Sequence, residues 1–174
     1  MTHNYLQRND FQKINPRAVF FDMDGVLFDS MVNHSIAWMK AMNECGLAFT
    51  REETYMYEGQ PGPDTVNFAY QRTHGRQSTE EERKQIYAIK GKYFEELGEP
   101  HRIPFALELA MKLKSQGYHL FIVTGSGQPS LLDNIQHYFP GLFEKENIIS
   151  AFDVSRGKPF PDPYLKALER AAVE

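Results

Sequence analysis

The sequence predicts an α/β fold, a parallel sheet flanked by helices and interrupted by an inserted all-helical unit. Three observations predict it. Short apolar runs at 18–21 and 118–123 have strand length and β-branched or aromatic content, and each ends abruptly in a polar cluster. Residues 31–97 read as helix only. After Pro104, strands and helices alternate again, and parallel neighbours need a crossover that is usually a helix.

The chain of 174 residues is long enough to bury one core with a small insertion. Hydrophobic residues at 41% and charged residues at 24% are those of a globular chain. With 19 Lys+Arg against 23 Asp+Glu the net charge is -4, which argues against a nucleic-acid or membrane-surface partner while leaving small anionic ligands open. A single cysteine, Cys45, excludes an intrachain disulfide and a multi-cysteine zinc site, and a cytoplasmic location is expected. Residues 1–16 form a polar arm without an apolar run, so neither a secretory signal nor an anchor is read there, and no later run reaches spanning length.

The first strand, 18–21, runs into Asp22-Met23-Asp24-Gly25. The helical insertion, residues 31–98, opens with a helix that Gly46 stops. Val32, Ile36 and Met39 share one of its faces, and Trp38, Met42 and Cys45 another, so cover on more than one side is expected. Thr50 with Glu53, and Ser78 with Glu81, have capping-box spacing, in which a hydroxyl and a Glu three residues on satisfy orphan amides reciprocally. Between them Gly59-Gln60-Pro61-Gly62-Pro63 opens a helix that Gly75 ends, and Gly98 with Pro100 closes the stretch. Residues 17–30 and 99–174 make up the α/β core. Pro104 is placed in the first turn of a helix ending at Gly117; strand 118–123 then meets Thr124-Gly125-Ser126-Gly127, and Pro129 opens a helix to about Tyr138. A weak third strand at 148–152 leads to Arg156-Gly157-Lys158-Pro159, and Asp162-Pro163 caps the last helix.

Ligand sites in such sheets lie at the carboxyl ends of the strands, where all three polar clusters fall. Two aspartates at i and i+2 after a buried strand are costly unless something uses them, because like charges near apolar walls disfavour ionisation. A divalent cation resolves the conflict. Magnesium binds through one or two carboxylates plus water and a substrate phosphate, and one carboxylate can then attack phosphorus while the other carries a proton. Thr124 and the glycine turn offer a hydroxyl and backbone amides to an anion, and Lys158 adds a compact positive charge. Singly, these are an ordinary loop, an ordinary turn and an ordinary surface lysine. Their combination at three strand ends carries the reading.

The segments Phe20-Phe21-Asp22-Met23-Asp24-Gly25-Val26-Leu27-Phe28-Asp29-Ser30, Ile122-Val123-Thr124-Gly125-Ser126 and Gly157-Lys158-Pro159-Phe160-Pro161-Asp162-Pro163 occur in this order and spacing. In them the chain resembles the haloacid dehalogenase superfamily, in its β-phosphoglucomutase-like phosphatase branch. The resemblance implies a Rossmann-like parallel sheet with an inserted helical cap and magnesium as cofactor. It implies Asp22 as nucleophile and metal ligand, Asp24 as general acid/base and, through its main-chain carbonyl, metal ligand, and Thr124, Gly125 and Lys158 as phosphate holders. The implied activity is hydrolysis of a small phosphorylated metabolite through an aspartyl-phosphate. Two departures stand out. The family's fourth, acidic motif follows a further strand that these 174 residues do not contain, so the core is expected to be an incomplete piece of a longer protein. The cap turn at 59–64 also lacks the basic residue with which mutase-type caps grip a distal phosphate, which favours phosphatase over phosphomutase.

Other readings fit these residues less well. An EF-hand fails because Gly25 comes too early and Asn33 stands where a bidentate Glu is needed. An Asp-x-Asp glycosyltransferase leaves Thr124 and Lys158 unexplained. A non-catalytic phospholigand-binding protein stays open, because part of the metal site is missing. His34 is a candidate substrate contact beneath the cap, with an ordinary amphipathic position as its alternative. Trp38 is expected in the cap core, Lys90 and Lys92 in solvent, and Tyr55, Met56 and Tyr57 in packing. Asp29 and Ser30 are expected to cap the first cap helix and form a hinge.

Overall fold

The computed structural model describes residues 16–127 and 129–172; the polar arm expected at 1–16 lies outside the described residues except for Pro16. Strand β1 (Ala18–Phe21) pairs in parallel with β2 (His119–Val123), with Ala18 opposite His119 and Phe21 opposite Ile122. Strand β3 (Ile148–Ile149) adds in parallel to the other edge of β2, giving the order β1-β2-β3. Side chains alternate across β2. Leu120 and Ile122 join Phe21, Phe28, Ala106, Ala110, Leu131 and Ile135 on one face, while Phe121 and Val123 meet Ile149 and Ala167 on the other. Helices α5 (Ala106–Ser115) and α6 (Pro129–Tyr138) thus cover one face, and α7 (Asp162–Ala171) the other. This is the expected Rossmann-type layering.

Between β1 and α5 lie α1 (Met31–Glu44), α2 (Arg51–Met56), α3 (Gly62–His74) and α4 (Glu80–Glu96). They enclose their own apolar cluster of Trp38, Ala41, Met42, Leu47, Phe49, Val66, Tyr70 and Ile86. Helices α1 and α4 pass from that cluster into the sheet core, where Ala37 and Phe94 are buried. The two connecting segments run side by side, with Asp29 N donating to His101 O at 2.8 Å and Ile103 N to Leu27 O at 2.9 Å. Phe28, fully buried, anchors this junction edge-on to Tyr138 and Phe139. Among the described residues no helix is long and apolar enough to cross a membrane.

Several local expectations are corrected. The second capping box uses Thr79 and Glu82, one residue later than expected, because the Ser78 hydroxyl donates to Asn67 Oδ1 instead. The first box, Thr50 with Glu53, forms as read. Pro104 precedes its helix, and Phe105, left-handed at φ 66, turns the chain into α5. The third strand stops at Ile149 because the Asp153 carboxylate accepts from Ser150 N and Oγ and curls the chain into a turn. Val32, Tyr55 and Met56 are exposed rather than packed, whereas Tyr57 packs on Phe49 and Phe68. Lys90 is only 2% exposed, not solvated; Lys92 is exposed as expected.

Candidate active site

The carboxyl ends of the three strands bring the predicted clusters together. Asp22 directly follows β1; its Oδ1 lies 3.1 Å from Lys158 Nζ, and its side chain stays 30% exposed. Lys158 Nζ also donates to Val123 O, the last carbonyl of β2, at 3.0 Å. The ammonium is therefore fixed between two strand ends. Thr124 follows β2 and is buried; its N–H continues the sheet ladder to Ile149 O. Its Oγ1 accepts from Ser126 N at 3.0 Å, so the hydroxyl proton is left to point at a ligand. The turn offers fewer amides than expected, because Gly127 N already donates to Tyr87 Oη at 3.3 Å. Gly125 is buried against the cap turn at Gly59.

Asp24 has a different environment. It is 6% exposed, and its Oδ1 accepts from the Ser30 hydroxyl at 2.6 Å and pairs with His34 Nε2 at 2.9 Å. Burial works to raise the Asp24 pKa, but His34 and the two hydrogen bonds outweigh it and hold the carboxyl below its usual range. His34 is pushed down by its own burial and by the charge of Lys90, more than Asp24 raises it. The pair is thus a carboxylate and a neutral imidazole whose Nε2–H donates. His34 therefore meets the proton-carrier candidate itself. Ser30 occupies the N-cap of α1 without capping it; its hydroxyl is spent on Asp24.

Over these residues the cap closes a cavity of about 40 Å³, lined among others by Asp24, His34, Trp38, Thr54, Glu58 and Lys90. That is room for water rather than for a sugar ring, so the cap must move to admit an organic ester. The closure is tight: a Cβ on Gly157, in the core, would lie 2.5 Å from Pro61 Cδ of the cap turn. Trp38 belongs to the cap core, as expected, and also walls the cavity.

Glu58 is the residue that sequence reasoning missed, and Lys90, weighed as a contact to substrate anions but expected in solvent, is the one it misplaced. Glu58 keeps one side open to solvent, but the protein around it and the negative charges of Asp24 and Asp22 push its carboxyl up to about 7. Its place beside the cap turn was the available signal. Lys90 sits among Phe94, Trp38 and Tyr87, with Nζ 4.9 to 5.6 Å from the ring centroids. Burial lowers its pKa to about 8, against the pull of Asp24 and Glu58.

Among the described residues no group of three His, Cys, Asp or Glu is placed to hold a metal unaided. The donors that are present suit magnesium on its usual terms. Asp22 offers a hard, partly exposed carboxylate, and the negative charges of Asp24 and Asp22 add to burial in pushing the neighbouring Glu58 carboxyl up, a crowding that a cation would relieve.

A family model described as haloacid dehalogenase-like hydrolase matches residues 19–174. A curated relative, the phosphorylated carbohydrates phosphatase of Thermotoga maritima, is 28% identical over 158 residues, spanning 90% of this chain and 71% of that protein. Among solved structures, a Bacteroides vulgatus protein whose assignment as a beta-phosphoglucomutase is provisional superposes with a TM-score of 0.92 at 46% identity. The match spans 99% of this chain and 70% of that one. A beta-phosphoglucomutase of Clostridium difficile, at 20% identity and a TM-score of 0.76, shares the fold over 91% of this chain and 72% of its own. The fold, the three strand-end motifs and the match over 19–174 agree: the chain belongs to the haloacid dehalogenase-like hydrolase family.

Proposed function

We propose that the chain is a magnesium-dependent phosphatase of small phosphate monoesters, working through an aspartyl-phosphate on Asp22. The observation that carries this reading is the pairing of two unlike carboxylates in one cleft: Asp22 part exposed beside Lys158, and Asp24 buried and hydrogen-bonded. The curated relative's action on phosphorylated carbohydrates supports it.

Lys158, steadied by Val123 O, and the Thr124 hydroxyl bind phosphate oxygens, which frees Asp22 from its ion pair. The Asp22 carboxylate and the Asp24 main-chain carbonyl would hold magnesium, which would supply positive charge against which a carboxylate can approach phosphorus. A phosphate beside Asp24 adds like charge and raises its proton affinity, so that it enters the first step protonated. An Asp22 oxygen then forms a bond to phosphorus, the ester P–O bond breaks, and Asp24 gives its proton to the departing alcohol oxygen. In the second step Asp24 takes a proton from the water that attacks the aspartyl-phosphate, releasing phosphate and restoring Asp22.

A phosphomutase is the second reading, favoured by the Bacteroides vulgatus structure and by the Lys90 ammonium in the cavity. The carboxyl of Glu58 argues against a second phosphate there. The test is to incubate wild type and Asp22→Asn with magnesium, β-glucose 1-phosphate and its bisphosphate, and a set of phosphate monoesters. Phosphate release that Asp22→Asn abolishes while retaining the fold supports the phosphatase. Isomerisation outpacing release establishes the mutase, and binding without turnover establishes the non-catalytic alternative.

A further inference from the structure

Thr54 lies in α2, four residues after Thr50. A helical threonine commonly turns its hydroxyl back to the carbonyl four residues earlier. Thr54 does not: it is 4% exposed, and its Oγ1 is the buried side-chain polar atom found without a hydrogen-bond partner among the described residues. A buried hydroxyl left unpaired is unfavourable, and native structures rarely keep one without a use. Thr54 also lines the cavity over Asp24, across from the core, together with Tyr57, Gln60 and Thr65. Thr54 thus stands on the cap side, where the alcohol half of an ester must go when its phosphate lies on Thr124 and Lys158.

We propose that the Thr54 hydroxyl is a specificity-determining contact that hydrogen-bonds an oxygen of the leaving group. This rests on the phosphatase reading and deepens it. A site built to bond a substrate hydroxyl discriminates against the analogue lacking it, because the site's own polar group is then left unpaired.

The experiment compares kcat/KM for glycerol 3-phosphate, ribose 5-phosphate and glucose 6-phosphate with that for cyclohexylmethyl phosphate, an alkyl ester without hydroxyls. Thr54→Val is expected to lower the ratio of the best hydroxylated ester to cyclohexylmethyl phosphate about three- to tenfold, the worth of one neutral hydrogen bond. Thr54→Ser restores the ratio, and the melting temperature of Thr54→Val does not fall, because an unpaired polar atom has been removed. An unchanged ratio, or rates on all esters falling together with the melting temperature, overturns the proposal. If wild type hydrolyses none of them, the phosphatase reading has failed by itself. Calorimetric binding of the same compounds to Asp22→Asn protein, with and without Thr54→Val, then decides the role of Thr54. A ratio of affinities unchanged by Thr54→Val, or no binding, overturns it.

Discussion

Gly125, at the end of β2, and Gly59, in the cap turn, meet main chain to main chain: a Cβ on Gly125 would lie 2.6 Å from the Gly59 carbonyl carbon. Gly125 is not in the left-handed region, so its own backbone would accept alanine. What alanine would prevent is closure. Gly125→Ala is expected to leave the melting temperature nearly unchanged and to lower kcat/KM about a hundredfold, the cost of displacing a catalytic arrangement by about an ångström. Gly91→Ala, at a helical site where a Cβ meets nothing within 4 Å, is the control. Equal rates for Gly125→Ala and wild type would show that the cap does not close in this way during turnover.

Ser30 and His34 act on one oxygen, Asp24 Oδ1. Loss of either loosens the carboxyl that must face the leaving oxygen. Ser30→Ala and His34→Asn are each expected to lower kcat/KM for alkyl phosphates by about ten- to a hundredfold, less than the roughly 10²- to 10⁴-fold worth of the proton carrier they position. p-Nitrophenyl phosphate, whose leaving group needs no proton, should be affected much less. The double variant should fall short of the product of the two, because both act through Asp24. Equal losses on both esters, or full additivity, would assign Ser30 and His34 to another role.

The site was legible where its chemistry is local and hidden where it depends on the cap folding back. Asp22, Asp24, Thr124 and Lys158 each follow a strand or turn that the chain announces within a few residues, and parallel pairing with β2 then gathers them. Lys90 reads as one more cation on a lysine- and glutamate-rich helix. Only the packing of α4 on α1 turns it inward onto Trp38, Tyr87 and Phe94. Glu58 and Thr54 are likewise ordinary helix-end residues until the cap turn is set against Gly125 and Gly157. The misplaced capping box has a simpler origin. Ser78 and Thr79 are both hydroxyl residues with a Glu three positions on, so spacing alone cannot choose between them, and Asn67, from a different helix, decides.

Lys90 gives the last prediction, a dependence of stability on pH. Burial disfavours its charged form more than Asp24 and Glu58 favour it, so the folded protein releases this proton near pH 8, while the unfolded chain keeps it to about 10.5. Below pH 8 the buried cation weighs fully against the fold. Between about 8 and 10.5 the unfolded state binds more protons, and stability attributable to Lys90 rises with pH. Lys90→Met keeps an unbranched chain against the three rings and removes the charge, and sulfur packs favourably on aromatic edges. The variant is therefore expected to melt at or above the wild-type temperature at pH 7, by up to several degrees. That lead should shrink as the pH approaches 10, because wild type then sheds its buried charge. Thermal melts of the pair at intervals from pH 7 to 10 provide the measurement. A variant that melts several degrees lower at pH 7, or a difference that does not change with pH, would mean that the charge of Lys90 stabilises the fold through its acidic neighbours.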